Sequence, residues 1–262
     1  MRIFEYKPFR GISGFLLEKN NCGIPKFLYF KGNVRTSFSL KIKKNGYVPK
    51  SGLIICNSIH QYVSGKKILE IGTGETAVIS IFCSKHGSSR ITAIDIDKNT
   101  INWAKINCKR NRIKNIKFSV SDIYEKINGK YDTIISNPPQ LPETDGGSPH
   151  DFGGRDGRSI LEKIIINSSS HLNKNGCLFL LIFDFLGVNA KYGQKESLFE
   201  LLKNKGFQPS IVCSKTHIIR RDGKTYESMN KIKQFYPKFT FGKNSNGDLT
   251  HKIFIVKAMK LT

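Results

Sequence analysis

From Lys66 onward the chain alternates strand-like and helix-like runs so regularly that few architectures can hold it. Lys67-Ile68-Leu69-Glu70-Ile71 reads as a short buried strand, and residues 76–86 as a helix closed by His86-Gly87. Arg90 to Asp95 gives a second strand and residues 98–111 a second helix, with Ile116 to Val120 and Tyr131 to Ser136 as further strands. After a loop rich in Gly and Asp over 141–158, the pattern predicts a helix over 159–172 and a bend at Asn175-Gly176. A strand over 176–183, a helix over 195–205 and strands near 209–214 and 251–258 follow. Strands joined through helices run parallel, because the helix carries the chain back across the sheet. The last two strands have no clear helix between them and predict a hairpin at the sheet edge. The expected core is α/β: seven strands, mostly parallel with an antiparallel last strand, and helices on both faces.

The two ends are less regular. Residues 1–45 hold short apolar pieces broken by glycines and predict a small, partly β N-terminal extension to a main domain over 46–262. Gly46 to Gly52 is a turn, and residues 52–63 have a loosely apolar helical face. The polar, basic stretch 221–250 reads as an insertion with no assignable element. The net charge is +23, and its excess lies at the ends: 11 basic against 2 acidic residues in 1–50, and 11 against 3 in 206–262. Such ends favour an acidic partner, nucleic acid or protein. Lys outnumbers Arg 33 to 10 and Asn and Ile are abundant, so biased composition explains the charge equally well. Six scattered cysteines without a CxxC or a Cys/His cluster point to a reduced, cytoplasmic protein with no metal site. The longest apolar run, Cys177 to Phe183, is too short to cross a bilayer.

Four short signals follow the first four strands in order. Glu70-Ile71-Gly72-Thr73-Gly74-Glu75-Thr76 is a glycine turn in which only two of the three glycines of a dinucleotide fingerprint are present. A tight turn alone would also explain it; as a ligand turn it brings backbone close to a bound molecule and offers helix N-terminal N–H groups. Asp95 ends the second strand, where an acid can accept from ribose hydroxyls; Asp97 competes, or caps the next helix. Ser121-Asp122-Ile123 follows the third strand, with Asp122 either a turn residue or an acceptor for an adenine amine. Ser136-Asn137-Pro138-Pro139-Gln140 ends the fourth. Two prolines without N–H groups stop a strand abruptly and leave a stiff hook. Its Asn137 side-chain oxygen and Pro138 carbonyl are two acceptors suited to an NH2 group. In an open parallel sheet all four sites lie at the strands' carboxyl ends.

This order of motifs resembles the class I S-adenosylmethionine-dependent methyltransferases, and the Asn-Pro-Pro hook resembles their amino-methyltransferases. Closer still, the chain is similar to the HemK-type release-factor glutamine methyltransferases and related small-domain methyltransferases. Gly46-Tyr47-Val48-Pro49, Asn107 on the second helix and Gly153-Gly154-Arg155-Asp156-Gly157-Arg158 fit that resemblance, which covers roughly residues 46–215. It departs at Gln140, where the family usually has an aromatic, at Thr76, where a third glycine is common, and in residues 1–45, which show no helical recognition domain.

The resemblance implies a Rossmann-like doubly wound fold and S-adenosylmethionine as cofactor. Glu70 and the backbone at Gly72 and Gly74 would hold its methionine end, Asp95 its ribose, and Asp122 with the Ile123 N–H its adenine, with Thr73, Ile96 and Asn137 also in contact with it. Asn137 and Pro138 would be catalytic, and Asn137, Pro138, Pro139 and Gln140 would meet the substrate. The leading substrate is a protein glutamine. An adenine or guanine amine in RNA or DNA, a small-molecule amine, and a nucleic-acid-binding module without activity are the alternatives. His150, Trp103, Arg155 and Arg158 are weaker candidates, each with an ordinary surface, packing or local ion-pair explanation.

Overall fold

The computed structural model describes residues 3–9, 12–19, 25–31, 37–43, 48–143 and 151–261. The chain divides into two compact units, residues 1–127 and 128–262.

The first unit begins with β1 (Ile3–Phe9), β2 (Ile12–Lys19), β3 (Pro25–Lys31) and β4 (Ser37–Lys41), an antiparallel sheet in sequence order. Helix α1 (Lys50–Ile59) leads to β5 (Lys67–Ile71), α2 (Val78–Lys85), β6 (Arg90–Asp95), α3 (Lys98–Arg110) and β7 (Ile116–Val120). Strands β5, β6 and β7 are parallel neighbours, with Ile68 opposite Ile91 and Ile94 opposite Ser119. Their β-branched residues suit a sheet covered on both faces, and Ile68, Leu69, Ile91 and Ile94 are fully buried.

Helix α2 starts two residues later than its pattern predicts. Ala77, at φ 48°, is in the left-handed region and cannot continue a right-handed helix backwards. Helix α3 starts where predicted, because the Asp97 carboxylate accepts from the N–H groups of Asn99 (3.0 Å) and Thr100 (3.1 Å). Its buried residues Ile101, Ala104, Asn107 and Cys108 fall at helical spacing. Asn107 and Asn111 use that spacing to grip β4. Asn107 Oδ1 accepts from Lys41 N (2.7 Å) and its Nδ2 donates to Lys41 O (3.2 Å) and Glu75 O (3.0 Å). Asn111 does the same at Ser39 N and O.

The second unit holds β8 (Tyr131–Ser136), α4 (Ser159–Ser168), β9 (Leu172–Phe183), α5 (Leu198–Asn204) and β10 (Phe207–Ile218). The predicted insertion contains α6 (Lys224–Glu227), α7 (Met229–Phe235) and β11 (Gly242–Lys243), and β12 (Leu249–Lys260) follows it. β9 runs parallel to β8, and β12 runs antiparallel to both β9 and β10. The expected hairpin of the last two strands is therefore present, with the insertion as its connection. The expected bend at Asn175-Gly176 is instead a bulge inside β9: Tyr131 pairs with Leu172, but Thr133 pairs with Cys177. Asn175 takes φ 59°, which an Asn tolerates, so the strand absorbs the extra residues without ending.

This is the Rossmann-like, mostly parallel α/β fold that the alternation implies. No helix among the described residues is long and apolar enough to cross a membrane.

Candidate functional site

In the first unit, a glycine turn follows β5. Gly72 (φ 73°) and Gly74 (φ 66°) need the left-handed conformation, and a Cβ at either would meet nothing within 4 Å. Their role is backbone shape, with open space above it. The turn's own N–H groups are already used: Gly72 N and Thr73 N both donate to Ile94 O (2.9 Å each), and Gly74 N donates to Asp95 Oδ2 (3.0 Å). A phosphate would find no donors in these three residues.

Glu70 is 1 % exposed. Its Oε2 accepts from Thr73 Oγ1 (2.8 Å) and from Ser80 Oγ, while Oε1 is buried with no hydrogen-bond partner. Burial raises its pKa from the ordinary 4.5 to about 7, against the lowering pull of the Ser80 and Thr73 hydroxyls. An acid held this way binds a positive group more strongly than an exposed one, because water does not screen it. The sequence singled out Glu70 and Thr73; nothing in it marked Ser80, whose position in α2 is needed to complete the pair.

Asp95 and Asp97 have separate roles. Asp97 caps α3, while Asp95 Oδ2 fixes Gly74 N and Oδ1 accepts from Asp97 N (3.2 Å). Ile96, between them, is 64 % exposed, an apolar face beside a carboxylate. After β7, Asp122 is exposed, and Ile123 stands at φ 44°, a strained backbone for a β-branched residue. The first unit thus gathers Glu70, Gly72, Thr73 and Gly74 around one turn and sets Asp95 against it. It places Asp122 and Ile123 at the same ends of the parallel strands. This set, with a buried carboxylate oxygen left without a hydrogen-bond partner, is compatible with a donor that carries a positive group, as S-adenosylmethionine does.

In the second unit, the hook leaves β8 with Asn137 half-buried, Pro138 buried and Pro139 half-buried. Gln140 is 2 % exposed, so its side chain is no outer surface for a substrate. Its amide donates to Pro138 O (3.2 Å) and Leu181 O (2.8 Å) and accepts from Phe183 N (3.0 Å). The loop behind the hook explains the Gly-Gly-Arg-Asp-Gly-Arg motif. A Cβ on Gly153 would come within 2.6 Å of Pro139 O, and one on Gly157 within 2.5 Å of Gln140 O. Only glycine lets this loop support the hook at backbone distance.

Arg158 is 2 % exposed, paired with Glu162 (2.8 Å) and donating to Glu196 O (2.7 Å). It is a structural cation. Exposed Arg155 lies over the Phe235 ring (5.7 Å). Trp103 carries the Lys41 ammonium over its ring (5.5 Å), in keeping with packing. His150 lies outside the described residues. No metal-ligand cluster occurs among the described residues.

Residues 50–208 match the methyltransferase small domain family. A protein of Methanocaldococcus jannaschii, provisionally named a protein N5-glutamine methyltransferase, is 35 % identical over 178 residues, covering 66 % of this chain and 86 % of its own length. The release factor glutamine methyltransferase of Aliivibrio fischeri is 26 % identical over 203 residues, covering 73 % of this chain and 70 % of its own. Among solved structures, the T. thermophilus 16S rRNA N2 G1207 methyltransferase with AdoMet and guanosine matches with a TM-score of 0.54 at 15 % identity, over 94 % of this chain and 54 % of its own. At that identity it speaks for the fold alone.

Proposed function

The chain belongs to the methyltransferase small domain family as an S-adenosylmethionine-dependent methyltransferase of the HemK type, and from that premise we propose that it methylates the side-chain amide nitrogen of a protein glutamine. The observation that carries the reading is the hook. Asn137 Oδ1 and the Pro138 carbonyl are two acceptors on a segment whose two prolines carry no N–H, and Gly153 and Gly157 pack close against the carbonyls of Pro139 and Gln140. The relatives named as glutamine methyltransferases point to the same group, and a release factor is the substrate in several of their names.

An amide nitrogen is a poor nucleophile because its lone pair is delocalised into the carbonyl. S-adenosylmethionine, when bound, supplies a methyl group already activated on a sulfonium. The chain's own contribution is orientation and electrostatics. Asn137 Oδ1 and Pro138 O accept the two N–H groups, fix the direction of the lone pair, and favour the nitrogen as positive charge develops on it. Glu70 holds the positive end of the donor, and Asp95 shapes the turn and accepts from the ribose. The cationic product nitrogen is acidic enough to lose its proton without a dedicated base.

The test is transfer of labelled methyl from S-adenosylmethionine to cell extract separated into protein, RNA and small molecules, followed by mapping of the labelled residue. Label on a glutamine of a protein supports the reading; label confined to RNA or small molecules refutes it. Asn137→Ala should lower turnover on the order of a hundredfold, far more than it lowers donor affinity.

A further inference from the structure

Strands β8 and β9 run parallel, and their described pairing ends with Ser136 opposite Leu180. Continuing that register sets Pro138 opposite Ile182. In a parallel ladder a residue bonds to both neighbours of its opposite number, donating to the carbonyl before it and accepting from the N–H after it. Pro138 should therefore donate to Leu181 O and accept from Phe183 N. Proline has no N–H, so the first bond is impossible.

The Gln140 carboxamide makes both bonds instead. Its Nε2 donates to Leu181 O (2.8 Å) and its Oε1 accepts from Phe183 N (3.0 Å). A side chain folded back by two residues thus acts as the missing rung of the sheet. The second N–H of the same amide goes to Pro138 O (3.2 Å). Both donors are used, and the side chain is buried. Because Phe183 N is satisfied by Gln140, the Pro138 carbonyl is released from the ladder. It accepts one long bond from Nε2 and keeps a second lone pair.

We propose that Gln140 is the positioning residue of the hook: by taking the ladder place of Pro138, it frees the Pro138 carbonyl and aims its remaining lone pair at the substrate N–H. This rests on the reading of the hook as an NH2 acceptor. It also assigns selectivity. A carbonyl with one lone pair left, next to Asn137 Oδ1, is satisfied by a nitrogen bearing two hydrogens. Once methylated, that nitrogen has one N–H and leaves one acceptor unpaired, so the site stops after a single methyl.

The test compares wild type, Gln140→Met and the double variant Pro138→Ala/Gln140→Met. Met fills the same space without hydrogen bonds. Amide hydrogen exchange at Phe183 reports the rung; methyl transfer, on whichever fraction the wild type labels, reports positioning; calorimetry with S-adenosylmethionine reports the glycine turn. In Gln140→Met, Phe183 should exchange at least about tenfold faster, donor affinity should hold, and kcat should fall about a hundredfold, as for a group misplaced by roughly an ångström. In the double variant, replacing Pro138 restores a backbone N–H there, and the segment can rejoin the ladder. Phe183 protection should return while kcat stays low, because the carbonyl is now held by the sheet. Wild-type turnover in Gln140→Met overturns the proposal. So does recovery of turnover together with protection in the double variant, which would make Gln140 a structural rung only. Label on RNA or small molecules would refute the glutamine reading alone, and label in no fraction would refute both.

Discussion

Glu70→Gln should make the free protein more stable and the donor complex weaker, and the pH dependence isolates the cause. In the folded chain the Glu70 carboxyl titrates near about 7, against the ordinary 4.5. A raised folded value means the unfolded chain loses its proton first. The stability contribution is thus complete below pH 4.5, declines as pH rises, and is gone above about 7. At about 1.4 kcal/mol per decade of proton activity, that gap corresponds to about 3 kcal/mol. Gln has the shape of the protonated acid and keeps an oxygen for Thr73 and Ser80. Urea denaturation of the free enzyme at a series of pH values should give coincident stabilities for the two proteins near pH 4.5. The variant should pull ahead through the window to a plateau of about 3 kcal/mol above pH 8. Other titrating groups cancel in the difference. Donor affinity should move the opposite way, because the buried anion that destabilises the free protein is what the ammonium neutralises. Parallel stability curves across the range would refute this account of Glu70.

Two other changes test separate parts of the first unit. Asp95→Ala removes the acceptor for Gly74 N at 3.0 Å and for Asp97 N at 3.2 Å; calorimetry should show donor affinity falling at least about tenfold, with the fold intact by circular dichroism. Asn107→Ala removes all three bonds that tie Lys41 and Glu75 to α3; thermal or urea unfolding should show a loss of about 3 kcal/mol, and Lys41 N should lose protection from hydrogen exchange.

The strands were legible because each is a short β-branched run closed by a turn residue. β5, β6, β7 and β8 fall where the pattern sets them. Boundaries failed where a single backbone conformation decides them, as at Ala77 and Asn175, since left-handed geometry at a non-glycine leaves no mark in composition. The site residues could be named from their order after the strands. Their chemistry could not be read as fully. Whether an N–H in the glycine turn is available depends on Ile94, a residue 22 positions from Gly72. The role of Gln140 depends on two atoms of β9. Residues 221–250 had no periodicity to read because their two helices, of four and seven residues, are shorter than the pattern needs. They are fixed by contacts such as Tyr236 Oη donating to Asp156 O at 2.7 Å.

The grip of Asn107 and Asn111 on β4 bears on how this enzyme can be trimmed. The family boundary, residues 50–208, invites a minimal version starting near Pro49. Such a version would strip two carboxamides of their partners on β4, one of them also joined to Glu75 O beside the glycine turn. It would also remove β12 and leave the length of β9 as a raw edge, prone to self-association. The family match ends at those positions; the hydrogen bonds that cross them do not.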